Sequence, residues 1–163
     1  KWMNSEHIKA LPIEKFHNFS ASFLTQDGIN PNDARIPASL ELARQRAETL
    51  MDVPKVIGPI FHSKPEYDES SFTKVTGIFG IQSLLSALAD HLGRCSSWKA
   101  DQIKASIKDA ADSVQVKIGA LMLPCRVATT GSSAGADLLP MLELIGQDNV
   151  VARIREFAEK RLA

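Results

Sequence analysis

At 163 residues the chain has room for one ordinary domain or two small ones. Its hydrophobic share of 44% and charged share of 23% are those of a globular protein and exclude disorder over most of its length. The 19 Lys and Arg balance 19 Asp and Glu, which excludes a globally basic nucleic-acid binder but leaves room for a local basic face.

No run approaches the ~18 apolar residues of a membrane span. The opening stretch Lys1-Trp2-Met3-Asn4-Ser5-Glu6 lacks the apolar core and small-residue cleavage site of a secretory signal. A first residue that is Lys1 and not methionine reads as a fragment or a processed product. Cys95 and Cys125 are too few for a disulfide framework, and without a signal they imply a reducing compartment and free thiols. Residues 1–70 carry 8 basic and 10 acidic side chains, and residues 71–163 carry 11 and 9. From Arg94 to Arg126, Arg94, Lys99, Lys104, Lys108, Lys117 and Arg126 face only Asp101, Asp109 and Asp112. A polyanion contact is expected in the second half.

Strand-like alternation is nearly absent, so the fold class is all-α. Pro12 sits at a first helical position, ahead of an apolar stripe of Ile13, Phe16, Phe19 or Ser20, and Phe23. Gly28, Asn30 and Pro31 break the chain. The next helix sets Leu40, Ala43, Ala47 and Leu50 on one face, with Arg44 and Arg46 on its polar side. Asp52 and Pro54 read as N-cap and N1 of a short segment carrying Val56, Ile57, Ile60 and Phe61. The polar stretch Ser63–Asp68 is the most linker-like, and a boundary is expected there, dividing the chain into residues 1–64 and 65–163.

Beyond it, Phe72, Val75, Phe79, Leu84, Leu85, Leu88 and Leu92 predict one long helix, interrupted in propensity by Gly77 and Gly80 and closed by Gly93 as C′. Ser96 or Ser97 would cap a helix whose buried stripe is Trp98, Ile103, Ile107 or Ala110, and Val114. Pro124 starts or kinks a helix that stops at Gly131. A helix over Leu138–Ile145 stops at Gly146, and the last helix presents Val150, Ile154, Phe157 and Leu162.

His7, His17, His62 and His91 form no metal-binding pair. Ser96-Ser-Trp-Lys99 matches a catalytic Ser-x-x-Lys pattern without its partner motifs, and helix capping accounts for its serines. Thr129-Thr-Gly-Ser-Ser-Ala-Gly135 is a small polar loop without the Gly-Lys-Ser/Thr end of a phosphate loop. Arg126 precedes it. If Pro124 opens the helix, Arg126 stands in the first turn against the helix dipole, and an anion is expected to compensate: a carboxylate of the fold, or a ligand's phosphate or base edge. Trp2, Tyr67 and Trp98 are either stacking platforms or core aromatics. Arg44 and Arg46 belong either to a solvated face or to an RNA backbone contact.

Leu123-Pro-Cys-Arg-Val-Ala-Thr-Thr-Gly131, Ser133-Ala-Gly-Ala-Asp-Leu138 and Leu142-Glu-Leu-Ile-Gly146, followed by Arg153 and Arg155, resemble the C-terminal end of bacterial-type glutamyl-tRNA synthetases. That family, of class I, has a Pro-Leu-Arg-x-Ala-Leu-Thr-Gly run, a Gly-Pro-x-Leu loop, Leu-x-Leu-Leu-Gly and a last helix with paired arginines. Trp2-Met3-Asn4 with Ile8, and Leu42-Ala-Arg-Gln-Arg-Ala-Glu-Thr-Leu50, resemble upstream segments in the same order. The chain departs from the pattern at Cys125, at Ala136 where the family has proline, and at Pro140. The positions of a base-discriminating arginine in some members fall around Pro37 and Ala38, with Arg35 the nearest arginine.

The resemblance implies two small helical bundles in tandem, the first for stem contact or anticodon binding and the second for anticodon binding. It implies anticodon contacts at Arg126, Thr130, Gly131, Gly135, Ala136 and Leu138, and backbone or stem contacts at Arg35, Arg44, Arg46, Lys99, Lys104 and Lys108. Unpaired loop bases suit such a surface, since guanidinium planes and a close backbone can read them. The partner is then tRNA, with no membrane and no metal, for a cytoplasmic or organellar monomer. The family's active-site signatures are absent, so no cofactor is expected in this chain, and ATP and Mg²⁺ would act in the catalytic domain of a parent glutamate–tRNA ligase. The alternatives are a helical protein-interaction module without RNA binding and a small enzyme using Arg126 and the glycine loop for a phosphate ligand.

Overall fold

The computed structural model describes the backbone of residues 2–160 and the side chains of residues 4–159. The stacking role of Trp2 and the place of Leu162 lie outside the described residues. Among those residues every regular element is helical, ten α-helices and one 3₁₀ turn. The chain falls into two compact units: Lys1–Ser63 with Gly135–Asp137, and Lys64–Ala134 with Leu138–Ala163. The division expected after residue 64 has no counterpart for the 135–137 segment.

The first unit holds α1 (Trp2–Ala10), α2 (Ile13–Gln26), α3 (Ile36–Arg44), the 3₁₀ turn Leu50–Asp52 and α4 (Val53–Phe61). Phe16, Leu24, Ile36, Leu40, Ala43, Val53 and Ile57 are wholly buried. The α2 stripe resolves onto Ser20, not Phe19, which is 53% exposed. Pro12 is the N-cap of α2, one position before the expected N1. The second helix is shorter than expected: α3 ends at Arg44, and Ala47 and Leu50 lie beyond it. The Asp52 carboxylate explains the restart. Instead of capping α4 it turns back and accepts from the Thr49 N–H at 2.8 Å and hydroxyl at 2.9 Å. Pro54 is the second residue of α4, where its missing N–H is harmless.

The second unit holds α5 (Glu69–Thr76), α6 (Ile81–Gly93), α7 (Ala100–Ser113), α8 (Gly119–Thr130), α9 (Leu138–Ile145) and α10 (Gln147–Lys160). Helix α6 packs on both α7 and α10, burying Leu85, Leu88, Leu92, Ile103, Ile107, Ala110, Val150, Ile154 and Phe157. The single long helix expected from Phe72 to Leu92 is instead α5 and α6, meeting at 98°. Gly80 is the cause: its φ of +71° is left-handed, which an α-helix does not contain. Phe79, expected on the buried stripe, is fully exposed at that elbow. Gly93 is the last residue of α6, not its C′. Neither Ser96 nor Ser97 caps α7, whose N-cap is the extended Lys99. The path into α7 is fixed by the Trp98 indole, which donates to the Leu142 carbonyl at 2.8 Å.

Helix α8 begins at Gly119, with Pro124 inside it. Arg126 therefore stands well past the first turn, and the dipole argument for a compensating anion falls away.

Candidate functional site

In the second unit the site residues gather at the C-terminal end of α8. Arg126 is half-buried. One turn on, Thr129 donates its hydroxyl to the Cys125 carbonyl at 2.7 Å, and Thr130 to the Arg126 carbonyl at 2.8 Å. Threonines bonded back in this way tie their side chains to the preceding turn, and the carbonyls beyond that turn have no further helix to satisfy them. Two donors from elsewhere complete the set. The Tyr67 hydroxyl donates to the Ala128 carbonyl at 3.0 Å, and Arg153 Nη1 donates to the Thr129 carbonyl at 2.8 Å.

Gly131 then reverses the chain at φ +86°. Its N–H donates to Val127 at 2.9 Å, and its carbonyl accepts the Asp68 N–H at 3.0 Å. A Cβ here would overlap the Glu66 carbonyl oxygen, so the position requires glycine on two counts. The Ser133 N–H donates to the Ser71 hydroxyl at 2.7 Å. Asp68 caps α5 by accepting the Ser71 N–H at 2.8 Å and the Ser70 hydroxyl at 2.9 Å. These bonds, that of the Ser71 backbone first and those of the Ser71 and Ser132 hydroxyls among them, hold the Asp68 carboxyl down at about 2.

The six residues expected to approach an anticodon thus differ in what they can offer. Thr130, at 7% exposure, and Leu138, at 4%, are inside the second unit, as is Gly131. Ala136, in the first unit, is 2% exposed. These four lie inside the fold, where they shape the backbone. Arg126 keeps part of its surface, Gly135 is exposed, and between them Ser132 and Ser133 are half-exposed and Ala134 exposed.

The cations divide similarly. In the second unit Lys99 lies 3.6 Å from Glu143, and Lys108 lies 2.7 Å from Asp112. Lys104 is exposed and forms no ion pair among the described residues. In the first unit Arg46 is exposed, 3.8 Å from Asp137. Arg44 is not on a solvated face: its side chain is 15% exposed, folded over the Phe16 ring at 5.7 Å, with Glu41 at 3.5 Å. Arg35 is a bracket within the first unit, its side chain 39% exposed. It grips Asp33 through Nε at 3.0 Å and Nη2 at 2.9 Å, donates from Nη1 to the Ile60 carbonyl at 3.2 Å, and lies 4.8 Å from the Phe61 ring centroid. That grip holds Asp33 at about 2.

The remaining aromatics are structural. Tyr67 packs against Phe72 and Phe157 with ring centroids 6.4 and 5.3 Å away, and Trp98 is tied to α9 as described. Burial pushes the Cys125 thiol up to about 12. Among the described residues no three His, Cys, Asp or Glu side chains are grouped to hold a metal ion.

Sequence reasoning missed Tyr67, Asp68, Ser71 and Arg153 as shapers of the loop. A signal was present for two of them. Asp68 three residues ahead of Ser71, with Phe72 and Val75 following, is an N-cap pattern inside what reads as linker.

The sequence pattern of the anticodon binding domain family matches residues 11–158. A glutamate–tRNA ligase of Akkermansia muciniphila is 32% identical over 158 residues, taking in 97% of this chain and 35% of that protein. One from Thermobifida fusca is 30% identical over 164 residues, taking in 96% and 34%. The chain thus spans about a third of the length of the curated relatives it matches. Among solved structures, a glutamate tRNA ligase from Elizabethkingia meningosepticum superposes with a TM-score of 0.84 at 23% identity, over 98% of this chain and 31% of that one. This likeness confirms the all-α fold. Since the family pattern runs from the start of α2 into the last turns of α10, the chain belongs to the anticodon binding domain family.

Proposed function

We propose that this chain binds the anticodon arm of tRNA and serves as the C-terminal part of a glutamate–tRNA ligase. The observation that carries the reading is the family match over residues 11–158. The geometry of the second unit supports it: a half-buried arginine, Arg126, stands shortly before a braced loop whose Ser132 and Ser133 are half-exposed and Ala134 exposed. Extruded bases of an RNA loop are read by such groups, stacked on guanidinium planes and bonded along their edges. The phosphates would meet lysines of α7, Lys104 foremost.

In this reading the chain contributes binding and discrimination, and ATP and Mg²⁺ chemistry belongs to the catalytic part of the parent enzyme. The chain alone then charges no tRNA and holds no cofactor. It would work as a monomer, in the cytoplasm or an organelle.

The test is filter binding of the chain to a transcribed glutamate tRNA and to the same tRNA with its anticodon exchanged, at two salt concentrations. Tighter binding of the matched tRNA is expected, and Arg126→Ala should lose about 1–3 kcal/mol at one anticodon position. Identical binding of both tRNAs by wild type and variant would remove Arg126 from the role. No binding at either salt would leave the protein-interaction module as the better reading.

A further inference from the structure

The bonds that the loop after α8 makes within itself are long, the Ala134 N–H to the Ser132 hydroxyl and the Thr130 hydroxyl to the Ser132 carbonyl, each at 3.3 Å. Within the second unit its exposed part, Ser132 to Ala134, is joined to the N-terminus of α5 at Ser71, which the Asp68 carboxylate holds. Asp68 accepts the Ser71 N–H and the Ser70 hydroxyl. Ser71, 1% exposed, passes the connection on, since its oxygen accepts the Ser133 N–H at 2.7 Å. The Asp68 backbone adds a bond to the Gly131 carbonyl at 3.0 Å. Asp68 thus holds Ser71 by its N–H while the Ser71 hydroxyl holds the Ser133 N–H, so the loop is braced through Ser71 to the carboxylate.

We infer that Asp68, acting through Ser71, is a positioning residue that fixes the conformation in which the Gly131–Ala134 loop meets the anticodon. The inference rests on the tRNA-binding reading above. Asp68 need touch no nucleotide. It sets the place of the Ser71 hydroxyl and so the direction of the Ser133 amide, and it is already ionised at any working pH, so the arrangement stands before RNA arrives. Pre-ordering a loop in its binding conformation removes an entropic cost from each productive encounter, and a loop read by backbone groups loses selectivity when that order is lost.

A helix cap and a loop organiser can be told apart by substitution. Asp68→Ser keeps an N-cap for α5 but removes the carboxylate that accepts from both the Ser70 hydroxyl and the Ser71 N–H. Ser71→Ala removes the acceptor of the Ser133 N–H and leaves the cap. In both variants the preference for matched over anticodon-exchanged tRNA should fall about tenfold, the worth of one base contact. The slope of affinity against salt should stay unchanged, because no phosphate contact is touched. Amide hydrogen exchange, followed without RNA, should accelerate at Ser133 and not in the interior of α6. If both variants keep the wild-type preference, the inference is overturned. If wild type itself shows no preference, the tRNA reading fails instead, and the Ser133 exchange then decides the role of Asp68: unchanged exchange in both variants overturns it, and acceleration confined to the loop upholds its organising part.

Discussion

Arg153 of α10 donates from Nη1 to the carbonyl of Thr129 at 2.8 Å, so the last turn of α8 ends on a buried guanidinium instead of on water. Tyr67 does the same for the neighbouring carbonyl of Ala128. A cation suits the negative end of a helix dipole, and a buried carbonyl must find a donor. Burial pushes the Arg153 pKa down, the sign that the fold spends desolvation to keep this cation in place. Arg153→Met should therefore cost about 1–3 kcal/mol, the price of leaving a buried acceptor unmet. Tyr67→Phe keeps the ring among Phe72 and Phe157 and should cost about 1 kcal/mol. Urea unfolding of the two variants and wild type checks both figures. A fully stable Arg153→Met would show that another donor reaches Thr129.

Gly131 and Gly146 offer a controlled comparison within one unit. Both are left-handed, at φ +86° and +91°. A Cβ on Gly146 meets nothing within 4 Å, whereas on Gly131 it overlaps the Glu66 carbonyl. Gly146→Ala should cost about 1–2 kcal/mol of backbone strain. Gly131→Ala must in addition push the 66–68 strand of chain away, and should be the more destabilising of the two by urea unfolding. It should also loosen the bond between the Gly131 carbonyl and the Asp68 N–H, seen as faster exchange of that amide. Equal costs would mean that Glu66 gives way freely.

Much of this fold is legible in the sequence because apolar spacing reports burial directly. Ile103, Ile107 and Ala110 lie in one stripe and are all buried, and Gly146 ends α9 as its position suggests. What misleads is a residue whose conformation depends on its surroundings. Gly80 can sit in a helix or break one, and only its left-handed φ turns the Phe72–Leu92 run into two helices. Pro124 can open a helix or stand within one, and here Gly119 to Leu123 precede it in the same helix. Arginines mislead in the same way. Arg35 and Arg44 look like surface cations, yet one brackets Asp33 to α4 and the other lies over Phe16. Charge in a sequence does not say whether a guanidinium is already spent inside the fold. Arg126 and its loop were legible as a pair, but the braces on that loop come from Tyr67, Asp68, Ser71 and Arg153, which are distant in sequence from it.

Acid stability follows from the two depressed carboxylates. Asp33, gripped chiefly by the Arg35 side chain, and Asp68, bonded chiefly by the Ser71 backbone, both sit at about 2 against an ordinary 3.8. A carboxyl more acidic in the folded than in the unfolded chain stabilises fully above its unfolded value, and the contribution is lost as pH falls through the folded value. Asp68→Ser should thus be less stable than wild type by a constant amount above about pH 5, with the gap closing between about pH 4 and 2. Urea unfolding across that range reads the closure directly. A gap that persists at the acid end would assign the loss to geometry and not to charge.

The thiols should separate cleanly. Cys125 is wholly buried in α8 and its pKa is pushed up to about 12. Cys95 is half-exposed in the turn before α7, with its thiol near the Ser97 carbonyl at 3.1 Å. Only a thiolate attacks a disulfide reagent. The folded chain should therefore release one equivalent of chromophore from an aromatic disulfide at neutral pH, lost in Cys95→Ser, and two in denaturant. Fast release of both from the folded chain would mean that α8 opens readily.

The lysines of α7 differ in how free their charge is, which orders their effect on RNA affinity. Lys108 is held 2.7 Å from Asp112, an attraction that raises its pKa, and Lys99 has Glu143 at 3.6 Å. A phosphate would have to compete with those carboxylates. Lys104 is exposed and meets no such competitor among the described residues. Each phosphate contact adds about 0.7–0.9 to the slope of log affinity against log salt. Lys104→Ala should therefore reduce that slope by nearly a full contact for matched and exchanged tRNA alike, and Lys108→Ala by less. Asp112→Asn is the sharper variant, since freeing Lys108 should steepen the slope and tighten both tRNAs together. Slopes that stay the same in all three variants would take α7 out of the RNA-facing surface.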